Sequence, residues 1–266
     1  QGTAVLIKTK NHYLIYDAGP VSGKGNDPGT RTILPYLRAE GIAELDVLAI
    51  SHRDSDHIGG VESILKGLPV KEVLGSIPEW HPLMSTFESN QVSARPCQYG
   101  DRWEWDGVQF IVWHPDSNVT FESQFHRGRP NELSCVIEVR NAHYSFWLTG
   151  DVERLGEAEI VGRLEQDLPS KQALDGRKKV FMAPHHGSKP SSSQTVINLI
   201  EPDWAFAQTG YRNRYNHPHP EIFSRYQNFG INLINTSLTG AQIWNFEGEK
   251  MDLELFRNSV RRIWHR

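Results

Sequence analysis

The chain has 266 residues and a mass of 30.3 kDa, enough for one large domain or two small ones. Its 28 Lys and Arg against 32 Asp and Glu leave a net charge of −4, which excludes a generally basic nucleic-acid binder but leaves room for a local basic groove. Hydrophobic residues make up 38% with mean hydropathy −0.51, too apolar for a disordered chain, and no run approaches the ~20 apolar residues of a membrane span.

In chain order, Gln1-Gly2-Thr3 runs straight into Ala4–Lys8, so the sequence reads as a domain cut from something longer, and the missing targeting segment is uninformative. Ala4–Lys8 and Tyr13–Tyr16 read as a strand hairpin. Thr30–Glu40 suits a helix, with Pro35 tolerable only in its first turn and Gly41 as terminator. Asp46–Ser51 is a buried strand, and Ile58–Leu68 carries helical apolar spacing. Trp103–Trp113 is a hairpin turning at Asp106-Gly107, whose tryptophans read as core or sheet face. Pro115–Asn131 is a polar connection, either a substrate rim or disorder. Leu133–Val139 and Tyr144–Thr149 form a second strand pair. An alternating rhythm follows: helix Val152–Leu164, strand Lys179–Met182, helix Ser193–Ile200, strand Trp204–Ala207, helix Pro220–Phe229 and strand Ile231–Asn235. Together these suggest two sheets packed face to face with helices on both flanks. The two cysteines, Cys97 and Cys135, exclude a disulfide-rich scaffold and a cysteine-rich zinc module, and whether they pair stays open.

The chemistry concentrates in Ser51-His52-Arg53-Asp54-Ser55-Asp56-His57-Ile58-Gly59-Gly60. Two histidines and two aspartates fall between a strand and a helix, where side chains can converge. Carboxylates this close raise each other's pKa unless cations compensate them, and metal ions with imidazole and carboxylate ligands are the simplest compensation. The plainer alternative is a solvated Asp-rich turn. His185-His186 also follows a strand, which aims the two rings in different directions. One can ligate a metal while the other faces substrate; the alternative is one core and one surface histidine.

The segment His52-Arg53-Asp54-Ser55-Asp56-His57 resembles the metallo-β-lactamase superfamily signature His-x-His-x-Asp-His, with Asp54 at the middle histidine. His-x-Asp-x-Asp-His-x-Gly-Gly is similar to the pattern in ComEC-type competence proteins. Tyr16-Asp17-Ala18-Gly19, Leu148-Thr149-Gly150-Asp151, Ala183-Pro184-His185-His186-Gly187-Ser188 and Tyr215-Asn216-His217-Pro218 resemble further motifs of that family in the same order. The resemblance implies an α/β fold, a four-layer αββα sandwich forming a single domain over 1–266, excised from a longer membrane protein. It implies two divalent metal ions, manganese or zinc with magnesium an option, held by His52, Asp54, Asp56, His57, Asp151 and His186, with Asp151 as the bridge. Asp17 would buttress a ligand histidine, although an ordinary strand-end Asp reads the same way. Asp56, Asp151 and His185 would be the catalytic residues, His185 donating to phosphate.

One position departs from the pattern. Asn131, in Pro130-Asn131-Glu132-Leu133-Ser134, takes about the place of the third-motif histidine, and His114 and His126 are off register. At most a weak amide oxygen would reach the first metal there. Exchanging imidazole for oxygen ligands favours manganese or magnesium over zinc. Two divalent ions against Asp54, Asp56 and Asp151 leave a net positive centre, which suits a phosphate.

Weaker signals surround the motifs. Ser188, Lys189 and the serines through Ser193 look like a polar helix start whose N–H groups suit anions. Tyr211-Arg212-Asn213-Arg214-Tyr215 and Phe125-His126-Arg127-Gly128-Arg129 interleave cations and rings as single-strand binding surfaces do, though either can be a solvated loop. His217 resembles a position near the active site, whereas His219 begins a helix. The tail arginines read as surface. The implied function is a nuclease that degrades the non-transported DNA strand in natural transformation. Its partners would be single-stranded DNA, the membrane channel domain of the same protein and other competence machinery, on the extracytoplasmic side. The rivals are hydrolysis of a small ester, thioester, lactone or phosphocholine ester, and a catalytically inert DNA-guiding module.

Overall fold

The computed structural model describes residues 2–21, 26–116, 128–166 and 176–260. The first sheet holds β1 (Val5–Lys8), β2 (Tyr13–Tyr16), β3 (Leu45–Ile50), β4 (Val70–Gly75) and β5 (Ser93–Pro96) in that order. β1 and β2 form the expected antiparallel hairpin, and β2 to β5 run parallel. The second sheet holds β6 (Arg102–Trp105), β7 (Val108–His114), β8 (Val136–Arg140), β9 (Tyr144–Leu148), β10 (Lys178–Met182), β11 (Trp204–Ala207) and β12 (Asn232–Asn235), again side by side. β6 to β9 are antiparallel and β9 to β12 parallel. A separate hairpin pairs β13 (Gln242–Glu247) with β14 (Lys250–Leu255).

The alternation of side chains builds the layers. Leu14, Tyr16, Val47 and Ala49 join Val112, Ile137 and Leu148 between the sheets. Their neighbours Ile15, Leu48 and Ile50 point the other way, to Leu37, Ile64 and Phe87 of the helices Leu34–Ala39, Val61–Gly67 and Pro82–Ser89. On the far side Trp113, Trp147 and Phe181 pack under the helices Arg154–Gln166, Gln194–Ile200 and Pro220–Asn228. A strand buried on both faces needs this continuous apolar run, and the result is the expected αββα arrangement. Trp103 stacks on Phe110 at 4.9 Å, so the hairpin tryptophans belong to the core and sheet face, as read. Among the described residues no helix is long and apolar enough to cross a membrane.

Two expected helices differ in detail. Thr30–Glu40 is a π-helical turn, Gly29–Ile33, leading into the α-helix Leu34–Ala39. Pro35 has no N–H for the i−4 bond and sits at the start of the α segment, where none is needed. The expected helix Ile58–Leu68 is two, Ser55–Ile58 and Val61–Gly67, parted by Gly59-Gly60. Gly59 N–H donates to Gly19 O at 2.8 Å and Gly60 N–H to Ala18 O at 3.0 Å, clamping the metal-motif loop onto the chain after β2. A Cβ on Gly59 would lie 2.2 Å from the carbonyl carbon of Pro20, and one on Gly60 2.6 Å from Gly29 N. Gly60→Ala should therefore destabilise the fold by about 1–3 kcal/mol, read in urea denaturation, as overpacking against backbone does.

Of the polar connection 115–131, residues 117–127 lie outside the described part, as do Phe125, His126 and Arg127 of the basic-aromatic segment and the tail arginines 261, 262 and 266. Cys97 after β5 and Cys135 before β8 form a buried disulfide joining the two sheets, Cα–Cα 5.9 Å. With a sequence separation of 38 residues, loop-closure entropy makes the bridge worth about 4 kcal/mol. The Cys97→Ser/Cys135→Ser variant should lose stability of that order, visible as a lower urea midpoint.

Candidate metal centre

The cluster forms where several strands end on the same side. Asp17 follows β2, Ser51 and His52 follow β3, Asp151 follows β9 by three residues, His185 and His186 follow β10, and Gln208 follows β11. The carboxyl ends of parallel strands are where an α/β sheet leaves its loops free to converge. Two junctions are held in left-handed backbone that non-glycine residues seldom adopt, with φ of 60° at Asp17 and 50° and 54° at His185 and His186. Such conformations persist where the surroundings impose them, commonly at functional sites.

Asp17 accepts from Ser51 N–H and Ser51 Oγ, each at 2.7 Å, and pairs with His57 Nδ1 at 2.7 Å. This fixes the imidazole so that Nε2 faces the cluster. His186 is oriented the same way by Gln208 O, 2.8 Å from Nδ1, and its Nε2 lies 3.2 Å from Asp56 Oδ2. His52 Nδ1 is 2.9 Å from Ser51 Oγ. Asp151 is anchored by its N–H donating to Ser134 Oγ at 3.0 Å. Its Oδ1 lies 3.2 Å from His57 Nε2, while Oδ2 lies 3.7 Å from Nε2 of both His185 and His186. The two carboxylate oxygens thus face two different groups of nitrogens.

Burial strips these groups of water and sets their charges against one another. Burial, with His57 beside it, pushes His52 well below the usual imidazole range. Burial also opposes charge on His57, but Asp151 and Asp17 hold it well above that range. Burial raises Asp54, with Asp151 and Asp56 adding to it, as the sequence of carboxylates suggested. Asp56 overcomes its burial through the His186 hydrogen bond and sits at about 2.

The donors fit a metal. His52 Nε2, His57 Nε2 and Asp151 Oδ1 are buried without a hydrogen-bond partner among the described residues, and each such atom costs about 1–3 kcal/mol if nothing meets it. His52, His57 and Asp151 present ligand atoms within 4.8 Å of one another, and so do Asp56, His57 and His186. Imidazole nitrogens and carboxylate oxygens in such sets suit divalent transition metals.

Not every expected residue joins them. Asp54 stands at the rim, 3.8 Å from His52 Nε2, with its side chain 42% exposed. Asn131 lies beside His185, its amide nitrogen 3.4 Å from Nδ1 and donating to Glu153 Oε1 at 3.1 Å. Glu153 was missed in the sequence: its Oε1 is 3.0 Å from His185 Nδ1. Ser51, Ser134 and Gln208 were missed too, because backbone and hydroxyl partners leave no pattern in sequence. His114 is a packed histidine with Nδ1 on Ser134 O at 2.8 Å, outside the cluster as its register implied.

The cluster borders a cavity of about 690 Å³ whose lining includes Asp54, Asp56, Asp151, His185, His186, Arg214, Tyr215 and His217. Arg214 caps the Tyr215 ring at 4.8 Å and reaches its hydroxyl at 2.6 Å. His217 stacks on Tyr215 at 5.7 Å and meets His185 at 5.9 Å; burial and the neighbouring histidines push it down to about 4. Tyr211 and Arg212 do not line this cavity; Arg212 lies over the exposed Tyr211 ring. Ser188 is buried beneath the histidine turn, and Lys189 pairs with Glu221 at 2.7 Å. The serine-rich helix start is no open anion site, because Ser192 N–H and Ser193 N–H already donate to the buried carboxylate of Glu157, at 2.8 Å for Ser193. His219 caps its helix as expected, with Nδ1 accepting from Glu221 N–H at 3.2 Å.

Two facing sheets with helices on both flanks, and a His/Asp cluster at their strand ends, define a metallo-hydrolase type of fold. The chain belongs to the metallo-beta-lactamase superfamily, whose family model matches residues 1–203. It is similar to Competence protein ComA of Neisseria gonorrhoeae, 34% identical over 241 residues, covering 91% of this chain and 30% of that protein. It is also similar to ComE operon protein 3 of Bacillus subtilis, 30% identical over 218 residues, covering 80% of this chain and 26% of that protein. The chain therefore spans less than a third of either relative. The metallo-beta-lactamase fold protein YhfI from Bacillus subtilis shares the fold, with TM-score 0.51 and 10% identity over 87% of this chain and 88% of that one.

Proposed function

We propose that this chain is a metal-dependent phosphodiesterase acting on single-stranded DNA during uptake, as the nuclease domain of a ComEC-type competence protein. The observation that carries the reading is the pair of ligand groups around His57 and Asp151, with three unpartnered buried atoms, beside a cavity lined by Asp151, His185, Arg214 and His217. In this reading His52 and Asp151, with Asp54 at the rim, would hold one ion, and Asp56, His57 and His186 the other, with Asp151 shared between them, since His57 Nε2 has one lone pair to give once Asp17 holds Nδ1. Bound divalent ions supply Lewis-acid charge and acidify a water for attack on a phosphodiester. The water oxygen bonds to phosphorus as the bond to the leaving sugar oxygen breaks. One water proton ends on that oxygen and the other passes to solvent. His185, its Nδ1 held by Glu153, presents Nε2 toward the phosphate, and Asp17 keeps His57 in its ligating tautomer.

The similarity to proteins named for competence supports the role in DNA uptake, with the membrane channel and other competence machinery as partners. The Cys97–Cys135 disulfide supports an extracytoplasmic location, since such bridges persist in oxidising compartments. Chelated protein incubated with labelled single- and double-stranded DNA, with manganese, zinc or magnesium added back separately, tests the reading. Because Asp54 and Asn131 stand where imidazoles would, manganese should restore more cleavage than zinc, and single strands should be cut faster than duplex. Thioester hydrolysis without DNA cleavage would point to the small-ester alternative, and DNA binding without strand loss to the inert guide.

A further inference from the structure

Beside the candidate centre lies a second cavity of about 640 Å³, and its walls carry both cations and carboxylates. Arg129, Arg154 and Lys189 line it together with Glu132 and Glu153. Both carboxylates are already engaged. Glu132 accepts from Gly156 N–H at 2.8 Å at the start of the helix Arg154–Gln166. Glu153 holds His185 at 3.0 Å and Asn131 at 3.1 Å. Lys189 spends its charge on Glu221, an exposed partner. Arg129 and Arg154 are exposed and make no ion pair or hydrogen bond among the described residues, so two guanidinium groups line the groove with their donors open to a ligand. Leu155, 54% exposed, adds an apolar wall beside them.

The groove adjoins the candidate centre through a run of side-chain contacts. Tyr215 stacks on His217 at 5.7 Å, His217 meets His185 at 5.9 Å, and His185 meets Glu153 at 3.0 Å. His185 lines the first cavity and Glu153 the second, so their contact is where the two linings meet. A chain of phosphates passing from the first cavity into the second would go from Arg214 and His185 to Arg129 and Arg154. Guanidinium groups offer forked donors that match phosphate oxygens, and spacing along a groove suits a polymer better than a single anion.

We infer that the Arg129–Arg154 groove is a second phosphate-binding track, which holds the stretch of single-stranded nucleic acid on the far side of the scissile bond from Arg214. The inference rests on the proposed phosphodiesterase reading. It makes the enzyme length-dependent: a strand too short to reach the groove gains nothing from it. The protein's net charge of −4 makes such a local track the means by which an acidic chain retains DNA.

The test compares the wild type with Arg129→Gln/Arg154→Gln and with Arg129→Lys/Arg154→Lys. Binding of a fluorescent twelve-nucleotide strand is measured by anisotropy at several salt concentrations in the presence of the metal. The Gln pair should flatten the log Kd against log salt plot by about 1.4, the contribution of two phosphate contacts on single strands. The Lys pair should keep most of the slope. Hydrolysis of bis(p-nitrophenyl) phosphate, which is too small to reach the groove, should be unchanged in both pairs. An unchanged slope in the Gln pair, with that small-substrate activity intact, overturns the groove and leaves the phosphodiesterase reading standing. Failure of the wild type to hydrolyse the small diester with any metal counts against the phosphodiesterase reading, and the binding slope then judges the groove alone. Loss of binding to anionic phospholipid vesicles, with strand binding unaffected, assigns the arginines to a membrane surface and also overturns the inference.

Discussion

Asp151→Asn is expected to release both metal ions and to abolish strand cleavage in one step. The carboxylate is buried and faces two ways, Oδ1 toward His57 and Oδ2 toward His185 and His186. Burial opposes its charge, but His57 and His186 around it hold the group well below the usual carboxylate range. The amide keeps the shape, including the N–H bond to Ser134 Oγ, yet brings no charge and only one acceptor atom. The loss should exceed the ~10²–10³ that removing one transition-state donor costs. Metal analysis of the purified variant beside its rate on a labelled oligonucleotide reads both effects. Two ions retained at wild-type affinity would remove Asp151 from the bridge.

The adjacent histidines should separate. His186→Ala is expected to lose one ion and nearly all turnover, because its Nε2 joins Asp56 and His57 while Gln208 O pins the other nitrogen. His185→Ala should keep both ions and lower the rate by ~10²–10³, the cost of one donor to the transition state. The two rings diverge at 61° from consecutive left-handed residues, so one sequence pair serves two functions. Gly187 continues the left-handed turn with φ of 78°, and a Cβ there would meet Pro218 at 2.8 Å. Metal lost from His185→Ala and kept in His186→Ala would reverse the assignment.

The sequence carries the fold where apolar periodicity is strong and loses it where it is weak. Leu45–Ile50 and Tyr144–Leu148, buried at every position, were legible as strands. Ser93–Pro96 was not: Ser-Ala-Arg-Pro has no apolar alternation and becomes a strand only through its parallel pairing with β4. The hairpin of β13 and β14 escaped for a similar reason, since both strands are half exposed and salted with acids and lysine. The break at Gly59-Gly60 depends on the distant Pro20 and Gly29, which no local pattern contains. In the candidate centre, His52, Asp56, His57, Asp151 and His186 were legible because their spacing is dense and their motifs keep order along the chain. Glu153 and Asn131, which hold His185, were unreadable in that role, because the pairing exists only after the turn at Pro130–Leu133 meets the loop after β9. The serine-rich helix start misled for the opposite reason: its free N–H groups are free only until Glu157, distant in sequence, folds onto them.

The central claim is that a pair of metal ions held around Asp151 makes this chain a phosphodiesterase. Titrating manganese into chelated protein, and following bound metal and cleavage of a single-stranded oligonucleotide in the same samples, tests it directly. Two ions per chain, with cleavage appearing as the second binds, is the predicted result. Saturation at one ion with full cleavage, or two bound ions with the strand left intact, would contradict it.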